Sequence, residues 1–214
     1  MRDANETGAR AQAYRVLASL FSPPSADSLE KLNEHDVPAL AGALQTLGAA
    51  ASLQEGVFTL YESLSDLDPD ELAAEWEANF EASGGLFCPL GETAHCTESA
   101  QEAWLKGYRL ADIAGFYHAF GVEVTPGSGV ADHLAMELEF MHLLAVKEAV
   151  ALEQGEVEGA GTCRDAAISF MNDHLGRWTG KVHQRLEDGQ GTVYPVAAAI
   201  LEGFVSLDKK FLQP

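Results

Sequence analysis

The sequence predicts an all-α fold, a helical bundle of roughly nine to ten helices. Apolar residues recur at three- and four-residue intervals in nearly every segment. Those segments are bounded by capping residues, prolines and glycines, and no Val/Ile/Thr alternation is long enough for a sheet. The 214 residues, 47% of them hydrophobic, suffice for the core of a single domain.

Asn5 or Thr7 can cap a first helix whose Ala13, Tyr14, Leu17 and Phe21 share a face, and Ser22-Pro23-Pro24 ends it. Ser25 or Asp27 opens a short helix, and Pro38 opens another that runs through the alanine-rich stretch to Leu53. Asp68-Pro69-Asp70-Glu71 combines a cap, a proline at the first helical position and acids on the positive end of the dipole. The helix it starts runs to about Glu81, with Leu72, Trp76 and Phe80 at i, i+4, i+8. Residues 83–97 are rich in Gly and Pro without a period, and read as a loop or hinge. A long helix over 99–120 places Leu105, Tyr108, Asp112, Phe116 and Phe120 near one face, before the break at 121–129.

The next helix, over 130–152, carries two apolar stripes. Leu134, Leu138, Met141 and Ala145 form one, with Met136, Phe140 and Leu143 roughly opposite, so it should be central and packed on both sides. Residues 153–162 read as a connection. A helix over 163–186 carries Ile168, Met171, Leu175, Trp178, Val182 and Leu186, and a last amphipathic helix covers 194–211.

Thirteen Lys and Arg stand against 33 Asp and Glu, for a formal charge of −20. Phosphate backbones and anionic membranes are thereby disfavoured as partners, whereas a basic peptide or a cation is permitted. No Lys or Arg occurs in residues 32–105, where fourteen acids fall. That stretch is either a solvated acidic face or a receptor for something basic. Three cysteines (Cys88, Cys96, Cys163) do not make a disulfide framework. The N-terminus is charged where a signal peptide needs an apolar stretch, and no apolar run approaches the ~20 residues of a membrane span. A soluble, reduced, cytoplasmic protein is expected.

No phosphate-binding loop or dinucleotide fingerprint is present, and Gly127-Ser128-Gly129 lacks the pattern of a nucleophile elbow. Two E-x-x-H motifs, Glu92/His95 and Glu139/His142, admit a di-iron-like metal-dependent oxidase, although only the second falls in a predicted helix. Cys88, His95 and Cys96 could hold zinc but lack a fourth ligand at finger spacing, so no metal is assigned. Asp132-His133 heads the central helix, as a simple cap or as part of a site. His133, Glu137, Phe140 and Leu144 share a face, on which a desolvated His133–Glu137 pair would suit binding. Tyr14, Trp76, Phe80, Trp104, Tyr108 and Trp178 fall on apolar stripes, as core or as the lining of a peptide groove.

The run 132–141, DHLAMELEFM, resembles the DHLxxELEFM signature of the TorD/DmsD/NarJ family of redox-enzyme maturation proteins. Phe170-Met171-x-x-His174-Leu175-x-x-Trp178 resembles that family's FLxxHLxxW helix. Pro89-Leu90-Gly91-Glu92-Thr93 is similar to its P-x-x-E-[TS] hinge loop, departing at Gly91 and His95, where tyrosine is expected. Gly115-Phe116-Tyr117-x-Ala119-Phe120-Gly121 is similar to the subgroup serving type II dimethyl-sulfoxide-reductase-like enzymes. The resemblance implies a helical fold of two parts, about 1–82 and 98–214, joined at the hinge over 83–97. It implies a cytoplasmic chaperone with no catalysis or cofactor of its own. The implied client is the catalytic subunit of a molybdenum (bis-molybdopterin guanine dinucleotide) oxidoreductase, recognised through its twin-arginine leader or as the apo subunit. Residues linked to peptide binding in the family correspond here to Asp132, His133, Pro89, Glu92 and Tyr14. Glu137 and Trp76 join them from the residue pattern, and a monomer or a hinge-swapped dimer is compatible with this reading. An acidic adaptor protein is the remaining alternative.

Overall fold

The computed structural model describes residues 3–81, 87–95, 100–123 and 131–213, with 101–104 and Ala100 described by backbone alone. Residues 83–86 of the glycine-rich segment, Cys96, Thr97, Gly127-Ser128-Gly129 and the Trp104 side chain lie outside the described residues.

The first part of the chain forms α1 (Ala4–Leu20), α2 (Ser28–Lys31), a π-helical turn (Leu32–Asp36), α3 (Val37–Thr46), α4 (Ala51–Ser65) and α5 (Pro69–Trp76). A second π-helical turn, Glu77–Glu81, continues α5. Then come α6 (Glu92–His95), α7 (Ala100–Ala119), α8 (Leu134–Gln154) and α9 (Val157–Asp173). A 3-10 turn (Leu175–Arg177), α10 (Thr179–Leu186) and α11 (Val193–Leu212) complete the order. Nine of the described α-helices have eight or more residues, and the only β pairing among the described residues is an isolated bridge between Gly91 and His133. The predicted all-α bundle is the fold observed.

Local chemistry explains most boundaries. Asp68 caps α5 as anticipated, accepting from the amides of Asp70 and Glu71, while Glu71 returns a bond to the Asp68 amide. The cap of α1 is Asp3 rather than Asn5 or Thr7, because Asp3 Oδ1 accepts from the Asn5 amide at 2.9 Å. The single helix expected from Pro38 to Leu53 is two. Gly48 adopts φ +63°, a left-handed turn that ends α3 and lets α4 start afresh at Ala51. Residues 153–162 are likewise mostly helix, since the left-handed Gly155 closes α8 and α9 begins two residues later.

The helix predicted over 163–186 breaks at His174 (φ −126°, ψ −99°), whose ring turns toward α6 and α7. Just beyond, Lys209 of α11 closes over Gly176, its Nζ donating to the Gly176 carbonyl at 2.6 Å. A Cβ at Gly176 would lie 2.3 Å from Lys209 Cε, so the close approach depends on glycine there.

α8 is the central helix, with α1 along one side and α9 on the other, as its two stripes require. α4 and α10 pack on α11, and α3 packs on α1, so elements from both sides of residues 83–97 share one continuous core. The face expected of α7 is rotated. Ile113 and Tyr117 are buried, whereas Tyr108 is 64% exposed. The helix is anchored by its C-terminal half, where Tyr117 packs on Phe140 (4.9 Å between centroids) and Phe116 on Phe170 (5.4 Å).

Candidate peptide-binding cleft

A cleft of about 370 Å³ opens where α5, the segment before α6 and the start of α8 meet. Trp76 and Phe80 supply its aromatic wall. Their rings lie 4.5 Å apart, and each is braced edge-on by Tyr194 of α11, at 5.4 and 5.0 Å. Pro23, Pro89 and Leu90 extend the apolar lining, while Glu81, Lys106, Thr93, Asp132 and His133 bring polar groups to it. The Trp76 Nε1 is buried without a hydrogen-bond acceptor among the described residues. Leaving that donor unmet is a cost of packing the indole into the wall.

The segment 88–93 is held against the head of α8 by backbone and side chain together. The Leu134 amide donates to the Leu90 carbonyl at 2.8 Å, and the Glu92 amide to the Asp132 carbonyl at 2.9 Å. Asp132 Oδ2 accepts from both the amide and the hydroxyl of Thr93, at 2.8 and 2.6 Å. Asp132, only 1% exposed, is therefore a clamp between the two loops. A Cβ at Gly91 would sit 3.4 Å from its carboxylate, which fits the small residue found where tyrosine was expected.

His133 caps α8, its Nδ1 accepting from the Ala135 amide at 3.2 Å. Burial lowers the His133 pKa, more than Asp132 raises it, which keeps Nδ1 unprotonated and able to accept. The expected His133–Glu137 pair is not formed. Glu137 turns inward, where its Oε2 accepts from Trp178 Nε1 at 3.0 Å.

Beneath the cleft lies a buried polar cluster. Glu92 accepts from Arg109 Nη1 at 2.8 Å and lies 3.0 Å from His174 Nδ1, while His174 Nε2 lies 3.2 Å from Asp112. Burial first, and the neighbouring Glu92 second, raise the Glu137 pKa well above the carboxylate range. Its Oε1 has no hydrogen-bond partner among the described residues, and the raised pKa favours the protonated carboxylic acid there. The folded state thus holds this proton more tightly than the unfolded chain. The stability tied to it is full below the unfolded value of about 4.3 and is lost as pH rises toward the folded value. Glu137→Gln keeps an acceptor for the Trp178 indole without a titrating group. The excess melting temperature of Glu137→Gln over wild type is expected to widen from pH 5 to pH 8 in thermal unfolding; a constant difference contradicts a protonated Glu137.

Of the seven residues singled out from the sequence, Trp76, Pro89, Asp132 and His133 line the cleft. Glu92 and Glu137 lie below it. Tyr14 is elsewhere, fully buried on α1, its hydroxyl donating to Asp208 of α11 at 2.6 Å and its ring 4.8 Å from Phe204. Glu81 and Lys106 also line the cleft and were not singled out. Glu81 carries one readable signal, as the last acid of a capped helix before a glycine-rich loop.

The metal alternatives do not assemble. Glu92–His95 is a helical turn rather than the loop expected, yet Glu92 faces Arg109 and His174 while His95 Nε2 bonds the Pro89 carbonyl. His142 Nδ1 donates to the Ala11 carbonyl at 2.8 Å, and Glu139 is exposed. Cys88 is buried, which pushes its thiol up to about 12, and it contacts the Val182 carbonyl. Among the described residues no three His, Cys, Asp or Glu side chains converge as a metal site. No helix among them is long and apolar enough to cross a membrane.

Comparison with known proteins places this geometry. The chain is 28% identical to the chlorate reductase assembly chaperone protein of Ideonella dechloratans, across 86% of this chain and 80% of that one. It is 27% identical to the selenate reductase assembly chaperone protein of Thauera selenatis, across 84% and 77%. With the chaperone protein TorD of Aliivibrio fischeri it shares 26%, across 95% and 94%. The crystal structure of a redox enzyme maturation protein from Archaeoglobus fulgidus has the same fold, with a TM-score of 0.57, 17% identity and coverage of 92% and 93%. A model of the family described as nitrate reductase delta subunit matches residues 36–184, which include the cleft lining apart from Pro23 and the cluster beneath it. The chain therefore belongs to the nitrate reductase delta subunit family, as the resemblance of its DHLAMELEFM and FMNDHLGRW segments to TorD/DmsD/NarJ proteins indicated.

Proposed function

We propose that this protein is a cytoplasmic assembly chaperone for the catalytic subunit of a molybdenum oxidoreductase. Its client is of the type II dimethyl-sulfoxide-reductase-like class, and it binds the client's twin-arginine leader, or the apo subunit, until the bis-molybdopterin guanine dinucleotide cofactor is in place. It performs no covalent chemistry itself. The observation that carries this reading is the cleft, in which Trp76, Pro89, Asp132 and His133 meet beside the exposed carboxylate of Glu81. A leader offers guanidinium groups followed by a modestly apolar stretch. The Glu81 carboxylate can take an arginine through paired N–H bonds, and the Trp76–Phe80 wall can cover the apolar part. The acidic surface of residues 32–105 raises the encounter rate for such a segment without needing specific contacts.

Calorimetric titration with a leader peptide tests the reading. Saturable one-to-one binding is expected, weakening about tenfold when the paired arginines become glutamine, and weakening partially from low to high salt with an apolar remainder. No binding at low salt to any molybdoenzyme leader or apo subunit contradicts it.

A further inference from the structure

A second apolar surface is built from other elements. α3 and α4 pack side by side and leave a groove of about 350 Å³ between them. Val37, Ala41 and Val57 contribute to its lining, along with Phe58, which is 62% exposed, and Tyr61, which is 43% exposed. The core does not require these two rings, because Val57, Leu60 and Leu64 already bury the inner face of α4. Gln54, Phe58 and Tyr61, at i, i+4 and i+7, instead form a continuous outer stripe along the groove.

The rim is acidic. Glu55 and Glu62 flank Phe58 at i−3 and i+4 on α4, and Glu34 stands one turn before Pro38 at the start of α3. No Lys or Arg occurs on either helix or anywhere in residues 32–105. The nearest cations preceding α3 are engaged, with Arg15 and Lys31 lying 2.7 and 3.4 Å from Asp36.

We infer that the α3–α4 groove docks a basic amphipathic helical segment of a partner protein. Its apolar side chains seat between Phe58 and Tyr61, and its Lys or Arg residues meet Glu34, Glu55 and Glu62. A second copy of this chain would bring one acidic rim against another, and an anionic membrane would be repelled in the same way. This surface stands independently of whether the Trp76–His133 cleft receives a leader.

The test uses the full chain and three labelled peptides of about 18 residues: an amphipathic Lys/Leu helix, a Lys/Ser peptide of equal charge and a Glu/Leu helix. Binding is read by fluorescence anisotropy for wild type, Phe58→Ser with Tyr61→Ser, Glu55→Gln with Glu62→Gln, and the cleft control Glu81→Gln with His133→Ala. Both aromatic positions are exposed, so these variants keep their fold, which circular dichroism verifies. The Lys/Leu peptide is expected to bind wild type, to weaken at least about tenfold on the serine variant, and to lose much of its salt dependence on the glutamine variant. The cleft control should bind within about twofold of wild type. Equal binding of the Lys/Ser peptide, unchanged affinity on the serine variant, or loss on the cleft control alone would overturn the inference. So would sedimentation showing a wild-type dimer that Phe58→Ser with Tyr61→Ser dissociates, since the occupant would then be a second copy.

Discussion

Arg10→Ala is expected to lower the unfolding free energy by about 3–5 kcal/mol, a large share of the stability of a domain this size. Arg10 is fully buried on α1, with its Nε on Asp208 Oδ1, its Nη2 3.2 Å from Asp208 Oδ2 and its Nη1 3.0 Å from Glu148 Oε2. Burial opposes its charge, but Asp208, with Tyr14 and Glu148, more than compensates, so its pKa is raised. Arg164 adds a second cation to Glu148 at 3.3 Å, whereas among the described residues Asp208 is left with the Tyr14 hydroxyl alone when Arg10 is removed. The cost thus comes from stranding a buried carboxylate between α1, α8 and α11, more than from losing an attraction. Arg10→Met combined with Asp208→Leu should recover part of the loss. Urea unfolding of both variants checks this, and a loss below about 1 kcal/mol for Arg10→Ala contradicts the network as drawn.

Asp132→Ala is expected to reduce stability by about 1.5–3 kcal/mol and to weaken leader binding by tenfold or more. The substitution leaves the amide and hydroxyl of Thr93 without their acceptor and removes the side-chain half of the clamp on residues 88–93, while the backbone bonds to the head of α8 remain. Pro89, Leu90 and Thr93 all belong to that stretch and to the cleft lining, so loosening it deforms the site without touching the aromatic wall. Thr93→Val should reproduce part of the defect and Thr93→Ser should retain wild-type affinity. If Thr93→Ser fails as badly as Thr93→Val, the clamp is not what shapes the cleft.

Short-range chemistry was legible in the sequence. Asp68 with Glu71 announced α5, and the paired apolar stripes of α8 announced a helix packed on both sides. What escaped depends on distant partners. The break at His174 is set by Glu92, 82 positions away, and by Lys209 closing over Gly176, neither visible in a run of apolar residues at helical spacing. The rotation of α7 has a similar origin: Tyr108 fits the stripe, but the residues that meet Phe140 and Phe170 are Phe116 and Tyr117 in the C-terminal half. α4 could have been found, since Val57, Leu60 and Leu64 keep helical spacing, but the alanine-rich run before Gly48 hid its start. In the cleft, Asp132 and His133 were recognised by pattern, while their division into a loop clamp and a helix cap needed coordinates. Glu137 was placed on the right helix but on the wrong partner, because Trp178 reaches it from 41 positions away.

The central claim is that a client leader lies in the cleft between Trp76 and His133. A leader peptide carrying a photoreactive group in its apolar stretch, crosslinked to the full chain and mapped by mass spectrometry, tests it most directly. Attachment within 76–94 and 132–133, competed by unlabelled leader and diminished in Asp132→Ala, is the predicted result. Attachment confined to the α3–α4 groove around Phe58 and Tyr61, or no competed attachment at all, would contradict it.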